Sequence, residues 1–250
     1  MGSRQFALDT GGGAPLASLA RARIWFGHRS VGAGLLEGAA AVLARARVPM
    51  RVLDTRDPAW LVPGVLAHGA LGRNGDAAAK IDDFAHVIAG RVGDSVDLAL
   101  MKLCWADVGA RTDVAALFAR YVAACTALAQ SRSTVALAHV TVPLTAFQRG
   151  PRSWPRRALG FPPGGLRENA VRDRFNALLQ SRFGAAVFDL AMLEATRPDG
   201  AREESRWKGR AVPGLAAAWS ADGGHLDARG REYVGRAFVS FLAARLAEAP

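Results

Sequence analysis

Ile24-Trp-Phe-Gly-His-Arg-Ser-Val-Gly32 carries an apolar strand directly into a run of small residues, Val31-Gly-Ala-Gly-Leu-Leu36, that opens a helix. Strand Arg23–Gly27 is followed by Ser30–Arg47, where Leu35, Leu36, Ala39, Val42, Leu43 and Ala46 recur at helical spacing. The same alternation continues along the chain. Pro49–Asp54, Val96–Leu103, Thr134–Val142 and Ala186–Leu190 are strand-like, and Val96–Leu103 is nearly continuous in apolar residues, as in a strand covered on both faces. Between and after them lie helix-like stretches: Ala78–Arg91, with Ile81, Phe84, Ala85 and Ile88 on one face, then Thr112–Gln130, Leu166–Phe183 and Ala228–Glu248. Thr112-Asp113 reads as an N-cap pair. Strands spaced by helices of this length imply βαβ units and a parallel sheet. The expectation is a three-layer α/β/α domain on a five-stranded parallel sheet in flavodoxin-like order.

A chain of 250 residues, half of them hydrophobic, buries one sizeable core, so residues 21–250 are expected to form a single domain behind a Gly-rich arm at 1–20. The net charge of +10 raises nucleic-acid binding. Only Lys80, Lys102 and Lys208 are lysines among 32 basic residues, and the arginines are scattered without a basic arm or stacking motif, so solvated surface charge is preferred. Cys104 and Cys125 fall in a strand and a helix and read as small buried hydrophobes, leaving the redox compartment open. No stretch reads as long and apolar enough to span a membrane, and Met-Gly-Ser-Arg-Gln lacks the apolar core of a signal peptide, which leaves the compartment open too.

The chemistry-bearing residues lie near the two ends. Ser30 stands where strand turns into helix, exposed to a base and close to helix-terminal N–H groups. A serine there is also an ordinary N-cap. In Trp219-Ser-Ala-Asp-Gly-Gly-His-Leu-Asp-Ala-Arg-Gly230, Asp222 and His225 are three residues apart just before the last helix. A tight turn over Gly223 and Gly224 lets the carboxylate accept from one imidazole nitrogen and leaves the other free to take a serine proton. Asp227, lacking that spacing, reads as the cap of the last helix. His68, His86 and His139 are scattered with no partner at ligand spacing, and His28 is near Ser30 by sequence alone, so neither metal nor organic cofactor is expected.

A nucleophilic serine after the first strand and an Asp-x-x-His before the last helix resemble the SGNH/GDSL hydrolase superfamily. The resemblance implies a Ser30–His225–Asp222 triad acting on carboxylic esters, with an acetyl ester of a carbohydrate or small alcohol as the substrate class. The first family block is degenerate, with Gly-His-Arg-Ser for Gly-Asp-Ser. For the second, Leu71-Gly-Arg-Asn-Gly-Asp76 offers the Gly72 N–H as an oxyanion donor. The third departs: in Cys104-Trp-Ala-Asp-Val108, Ala106 occupies the position of the family's asparagine. Asn74 is the preferred replacement donor, Lys102 is an alternative cation, and a broken hole would leave a non-catalytic glycan- or protein-binding domain. An acyltransferase using the same triad is the third alternative.

Two long connections, Thr145–Gly165 and Ala195–Gly224, follow strand ends at the edge where open α/β sheets bind ligands. Trp154, Phe161, Trp207 and Trp219 within them are candidates for a lid or a sugar-stacking surface, with plain packing as the competing role.

Overall fold

The architecture comes from a computed structural model, which describes residues 13–148 and 162–248. Its elements in chain order are α1 (Gly13–Leu19), β1 (Arg23–His28), α2 (Val31–Arg45), β2 (Arg51–Asp54), β3 (Val65–Ala70), α3 (Ala77–Ala89), β4 (Leu98–Lys102), α4 (Val114–Ser131) and β5 (Ala136–Val140). Then follow α5 (Leu166–Phe183), β6 (Val187–Phe188), α6 (Leu190–Ala195), β7 (Glu204–Trp207), β8 (Arg210–Pro213) and α7 (Ala228–Glu248).

The central sheet has six strands rather than the five expected, all parallel, in the order β2-β3-β1-β4-β5-β6. Without the edge strand β2, the remaining five have the flavodoxin-like order. The added strand is β3: Val65-Leu-Ala-His-Gly-Ala70 carries only one β-branched residue and gives a weak local signal. It forms because it completes the hydrogen bonding between β1 and β2.

Period-two alternation of side chains divides the strands between two cores. Ile24, Phe26, Leu66, Leu98, Leu100, Ala138 and Val140 meet Leu35, Ala39, Phe238 and Leu242 of α2 and α7. Trp25, Ala67, Ala99 and Met101 meet Ile81, Phe84, Tyr121 and Phe175 of α3, α4 and α5. Helix starts are set by aspartate caps: Asp76 accepts from Ala79 N–H, Asp113 from Ala115 and Ala116, Asp189 from Met192, and Asp227 from Gly230.

Two further expectations change. The second half of the expected arm is α1, whose Leu19 is fully buried in the α2/α7 core. Against the expectation of no span, α4 is by length and composition alone apolar enough to cross a membrane, with a mean hydropathy of 1.3 over 18 residues. Its alanines raise that value. In this fold it lies on the sheet with Val114, Tyr121, Cys125 and Leu128 inward, and Arg120 on its outer side pairs with Asp82. The Ala195–Gly224 connection contains the antiparallel hairpin β7–β8, turned at Lys208-Gly209 with both residues at positive φ.

Candidate functional site

Ser30 sits between the end of β1 and the first turn of α2 in a backbone conformation, φ 50° and ψ −113°, that a non-glycine residue rarely adopts. Such a conformation costs on the order of 1–3 kcal/mol and persists only where packing enforces it. Here β1 is buried along almost its whole length, and at Gly32 any Cβ would lie 2.5 Å from the His28 ring. The strain has a consequence: the hydroxyl at the N-cap position makes no capping bond. It faces His225 instead, with Oγ 2.8 Å from Nε2.

The other imidazole nitrogen, Nδ1, is 2.7 Å from Asp222 Oδ2. Asp222 Oδ1 accepts the backbone N–H groups of His225 at 2.7 Å and Gly224 at 2.8 Å. Those two amides and then the imidazole hold the Asp222 carboxyl well below the usual carboxylate range, so it is ionised. An ionised Asp222 requires the Nδ1–H tautomer, leaving Nε2 as an acceptor for the Ser30 hydroxyl proton. The Asp222 and His225 side chains are 57% and 51% exposed, so this relay lies open to solvent. Asp227 caps α7 and takes no part in it. Trp105, which sequence reading passed over, presents its ring at 72° to His225 with centroids 6.4 Å apart.

The expected oxyanion residues are placed differently from one another. Gly72 is corrected: its N–H donates to Asp83 Oδ2 at 2.9 Å, and Arg56 grips the same carboxylate with two bonds of 2.9 Å. That hydrogen is committed in this structure and cannot serve an oxyanion without leaving Asp83. The Ser30 N–H, in contrast, donates to no group among the described residues. Asn74 is exposed on the same loop, and its Oδ1 accepts from Lys80 Nζ at 2.9 Å. Lys102 is fully buried, bonded to Leu103 O and 3.6 Å from Cys104 Sγ, and burial pushes its pKa down. It stands behind the site as part of the core.

The aromatic candidates divide. Trp154 and Phe161 lie outside the described residues. Trp219 is packing: it is 7% exposed, stacks on Tyr233 at 4.8 Å and donates Nε1–H to Thr196 O at 2.6 Å. Trp207 is half-buried in a small cluster with Phe147, Leu166 and Val212, with Arg167 5.3 Å and Lys208 5.8 Å from its ring. A cleft of about 830 Å³ opens beside the acid end of the relay, bordered by Thr145, Gln148, Arg167, Glu168, Ser220 and Asp222.

His28 is neutral: burial, then His68, Lys102 and Arg29, lower its pKa to about 3, and its Nε2 meets His68 Nδ1 at 3.2 Å. Sequence reading also missed the polar frame around the site. Arg172 donates to Val108 O, Trp105 O, Asn169 Oδ1 and Thr145 Oγ1, tying the turn after β4 to the loop after β5. Asn169, Arg172 and Asn176 are buried polar residues at helical spacing on α5, and Lys80 interrupts the apolar face of α3. Polar residues on a face that should be apolar were the available signal.

No protein-family model and no curated protein matches the chain. Solved structures do resemble it. A protein from Streptococcus pneumonia, designated provisionally as a platelet activating factor, superposes with a TM-score of 0.52 at 13% identity, over 87% of this chain and 82% of that one. A protein from Parabacteroides merdae, provisionally a GDSL-like lipase, does so with a TM-score of 0.51 at 14% identity, over 89% of this chain and 95% of that one. The chain has the three-layer fold of the SGNH/GDSL-like hydrolases.

Proposed function

We propose that the protein is a serine esterase cleaving an acyl ester, with acetyl esters of a carbohydrate or small alcohol as its substrate class. One observation carries this reading: the continuous relay Ser30 Oγ–His225 Nε2–Asp222, at 2.8 and 2.7 Å, on a serine whose strained backbone aims the hydroxyl at the imidazole rather than at its own helix. Ser30 Oγ attacks the acyl carbonyl as its proton passes to Nε2. Asp222 fixes the Nδ1–H tautomer and stabilises the imidazolium without taking the proton. The Ser30 N–H, which has no acceptor among the described residues, and the Asn74 carboxamide N–H stabilise the charge that develops on the carbonyl oxygen. Collapse expels the alcohol, which takes the proton from His225. Water, deprotonated by the same imidazole, then releases the acid and frees Ser30. The cleft beside Asp222 offers room for the alcohol portion.

Labelling with a fluorophosphonate tests this reading, because the reagent phosphonylates an activated serine and leaves ordinary serines unmodified. The wild-type chain is expected to take one label and to hydrolyse p-nitrophenyl acetate, and Ser30→Ala to do neither. A wild-type chain that is neither labelled nor active would make this fold a binding module. Label uptake with acetyl transfer to an added alcohol outpacing hydrolysis would make it an acyltransferase.

A further inference from the structure

Lys80 lies on the inward face of α3 with no exposed surface, and the apolar neighbours on that face, Ile81 and Phe84, would accept a hydrophobic residue in its place. Its Nζ donates to Asp107 Oδ2 at 2.6 Å and to Asn74 Oδ1 at 2.9 Å. The Asp107 side chain is equally buried and also accepts the Cys104 N–H at 2.6 Å and the Gly75 N–H at 2.8 Å. The pair therefore ties the loop after β3 to the turn after β4. Both segments are also joined to the two residues that precede Ser30: the Leu71 N–H donates to His28 O, Arg29 Nε donates to Leu71 O, and Cys104 Sγ lies 3.3 Å from Arg29 O.

The ion pair settles which way Asn74 points. An ammonium only donates, so the amide atom facing it is oxygen, and the orientation follows from charge. The Asn74 NH₂ is thereby turned away from Lys80, and it donates to no group among the described residues. Buried ion pairs are commonly no more stabilising than apolar residues of the same volume, so stability alone is a poor reason for a lysine here.

We infer that Lys80 is a positioning residue of the oxyanion site, which rests on the esterase reading above. By holding Asn74 Oδ1 it presents the carboxamide N–H as second donor alongside the Ser30 N–H, making good the asparagine absent at Ala106. The charge on Lys80, itself out of contact with water, also polarises the Asn74 amide and strengthens its N–H as a donor.

A double-mutant cycle on p-nitrophenyl acetate hydrolysis tests this: wild type, Asn74→Ala, Lys80→Met and the double variant, each checked by circular dichroism. Lys80→Met is expected to lower kcat about ten- to a hundred-fold with KM nearly unchanged, and to cost nothing further once Asn74 is alanine. Lys80→Met combined with Asp107→Asn leaves no lone buried charge and gives the same comparison if Lys80→Met alone fails to fold. In the phosphonylated enzyme, the Asn74 side-chain amide resonances should shift in the wild type and remain unshifted in the Lys80 variant. Losses that add in full, or wild-type kcat in a folded Lys80 variant, would overturn the assignment and leave the esterase reading standing. A wild-type chain that neither hydrolyses the ester nor takes the fluorophosphonate would remove both.

Discussion

Asp83 accepts the Gly72 N–H at 2.9 Å and is held there by a two-pronged Arg56, so the glycine that the family pattern offers as an oxyanion donor is already occupied. Arg56 and the Gly72 N–H keep the Asp83 carboxyl below its ordinary range, which makes it a strong and permanent acceptor. Asp83→Asn, whose carboxamide oxygen still accepts from Gly72, should leave kcat within about two-fold of wild type, given the small worth of one exchanged surface contact. Asp83→Ala frees the amide and should not raise kcat. A rise measured with p-nitrophenyl acetate would show that Gly72 is a donor in waiting.

Asn74→Ala should lower kcat by about a hundred-fold with little change in KM, the pattern for a contact made chiefly in the transition state. The residue is exposed, and among the described residues its side chain bonds through Oδ1 to the buried Lys80, which keeps Asp107. The lost bond should therefore cost about 1 kcal/mol and lower the thermal midpoint by about 2–4 °C. An equal loss at Lys102→Met, with none at Asn74→Ala, would assign the electrostatic role to the buried lysine.

Asp222→Asn should keep the fold and lower kcat by about 10⁴-fold, as expected when an imidazole loses both its charge partner and its tautomer. The Asn oxygen can still accept the Gly224 and His225 N–H groups, so the loop survives and the loss isolates the carboxylate. Wild-type kcat in this variant would remove Asp222 from the relay.

What the sequence revealed depended on how local each signal was. Leu166–Phe183 and Ala228–Glu248 were legible to the residue, and Ser30, Asp222 and His225, whose side chains the fold brings into hydrogen-bond contact, stand out in the sequence by their places at element ends. Strand β3 was missed because Ala67, Gly69 and Ala70 carry no strand preference of their own, and burial between two strands decides their conformation. The hairpin β7–β8 was missed because Glu204-Ser-Arg-Trp207 lacks a clean apolar alternation. The occupation of Gly72 by Asp83 and the grip of Lys80 on Asn74 are bonds made only when loops meet helix α3, so no short window of sequence encodes them. Trp219 looked like a stacking surface because its partner Tyr233 sits a helical turn and more beyond the loop.

Acid should destabilise the protein before most carboxylates titrate. His28 and His139 are buried with pKa values lowered from 6.5 to about 3, so the unfolded chain takes up protons that the folded chain refuses. Their stabilising contribution is full above about pH 6.5 and is lost as pH falls toward 3. Urea midpoints should therefore drop between about pH 6.5 and pH 4.5. His139→Gln, a variant away from Ser30, should flatten that slope at some cost in stability at neutral pH. Glu194, whose burial pushes its pKa up to about 8, binds a proton in the folded chain over the same window and offsets one of the two. An unchanged midpoint would therefore mean that at least one histidine protonates in the folded state.

Helices α2 and α7 approach so closely at Gly38 and Gly235 that a Cβ on Gly38 would lie 1.9 Å from Arg231 O, and one on Gly235 2.3 Å from Gly38 C. Both neighbours are backbone, so neither can swing aside. In a free helix, Gly→Ala gains about 1 kcal/mol. Here the overlap forces the helices apart, and overpacking of this kind costs about 1–3 kcal/mol or more, so Gly38→Ala should be destabilising. For a chain of this size each kcal/mol lowers the thermal midpoint by about 2–4 °C. The same contact matters for the site, because Ser30 directly precedes α2 and His225 stands three residues before α7. Separating the two helices lengthens the Ser30–His225 contact, and kcat should fall in whatever fraction remains folded. Gly109→Ala, where a Cβ meets nothing within 4 Å, is the control and should leave both midpoint and rate unchanged. A Gly38→Ala variant as stable and active as wild type would show that the interhelical contact is looser than 1.9 Å implies.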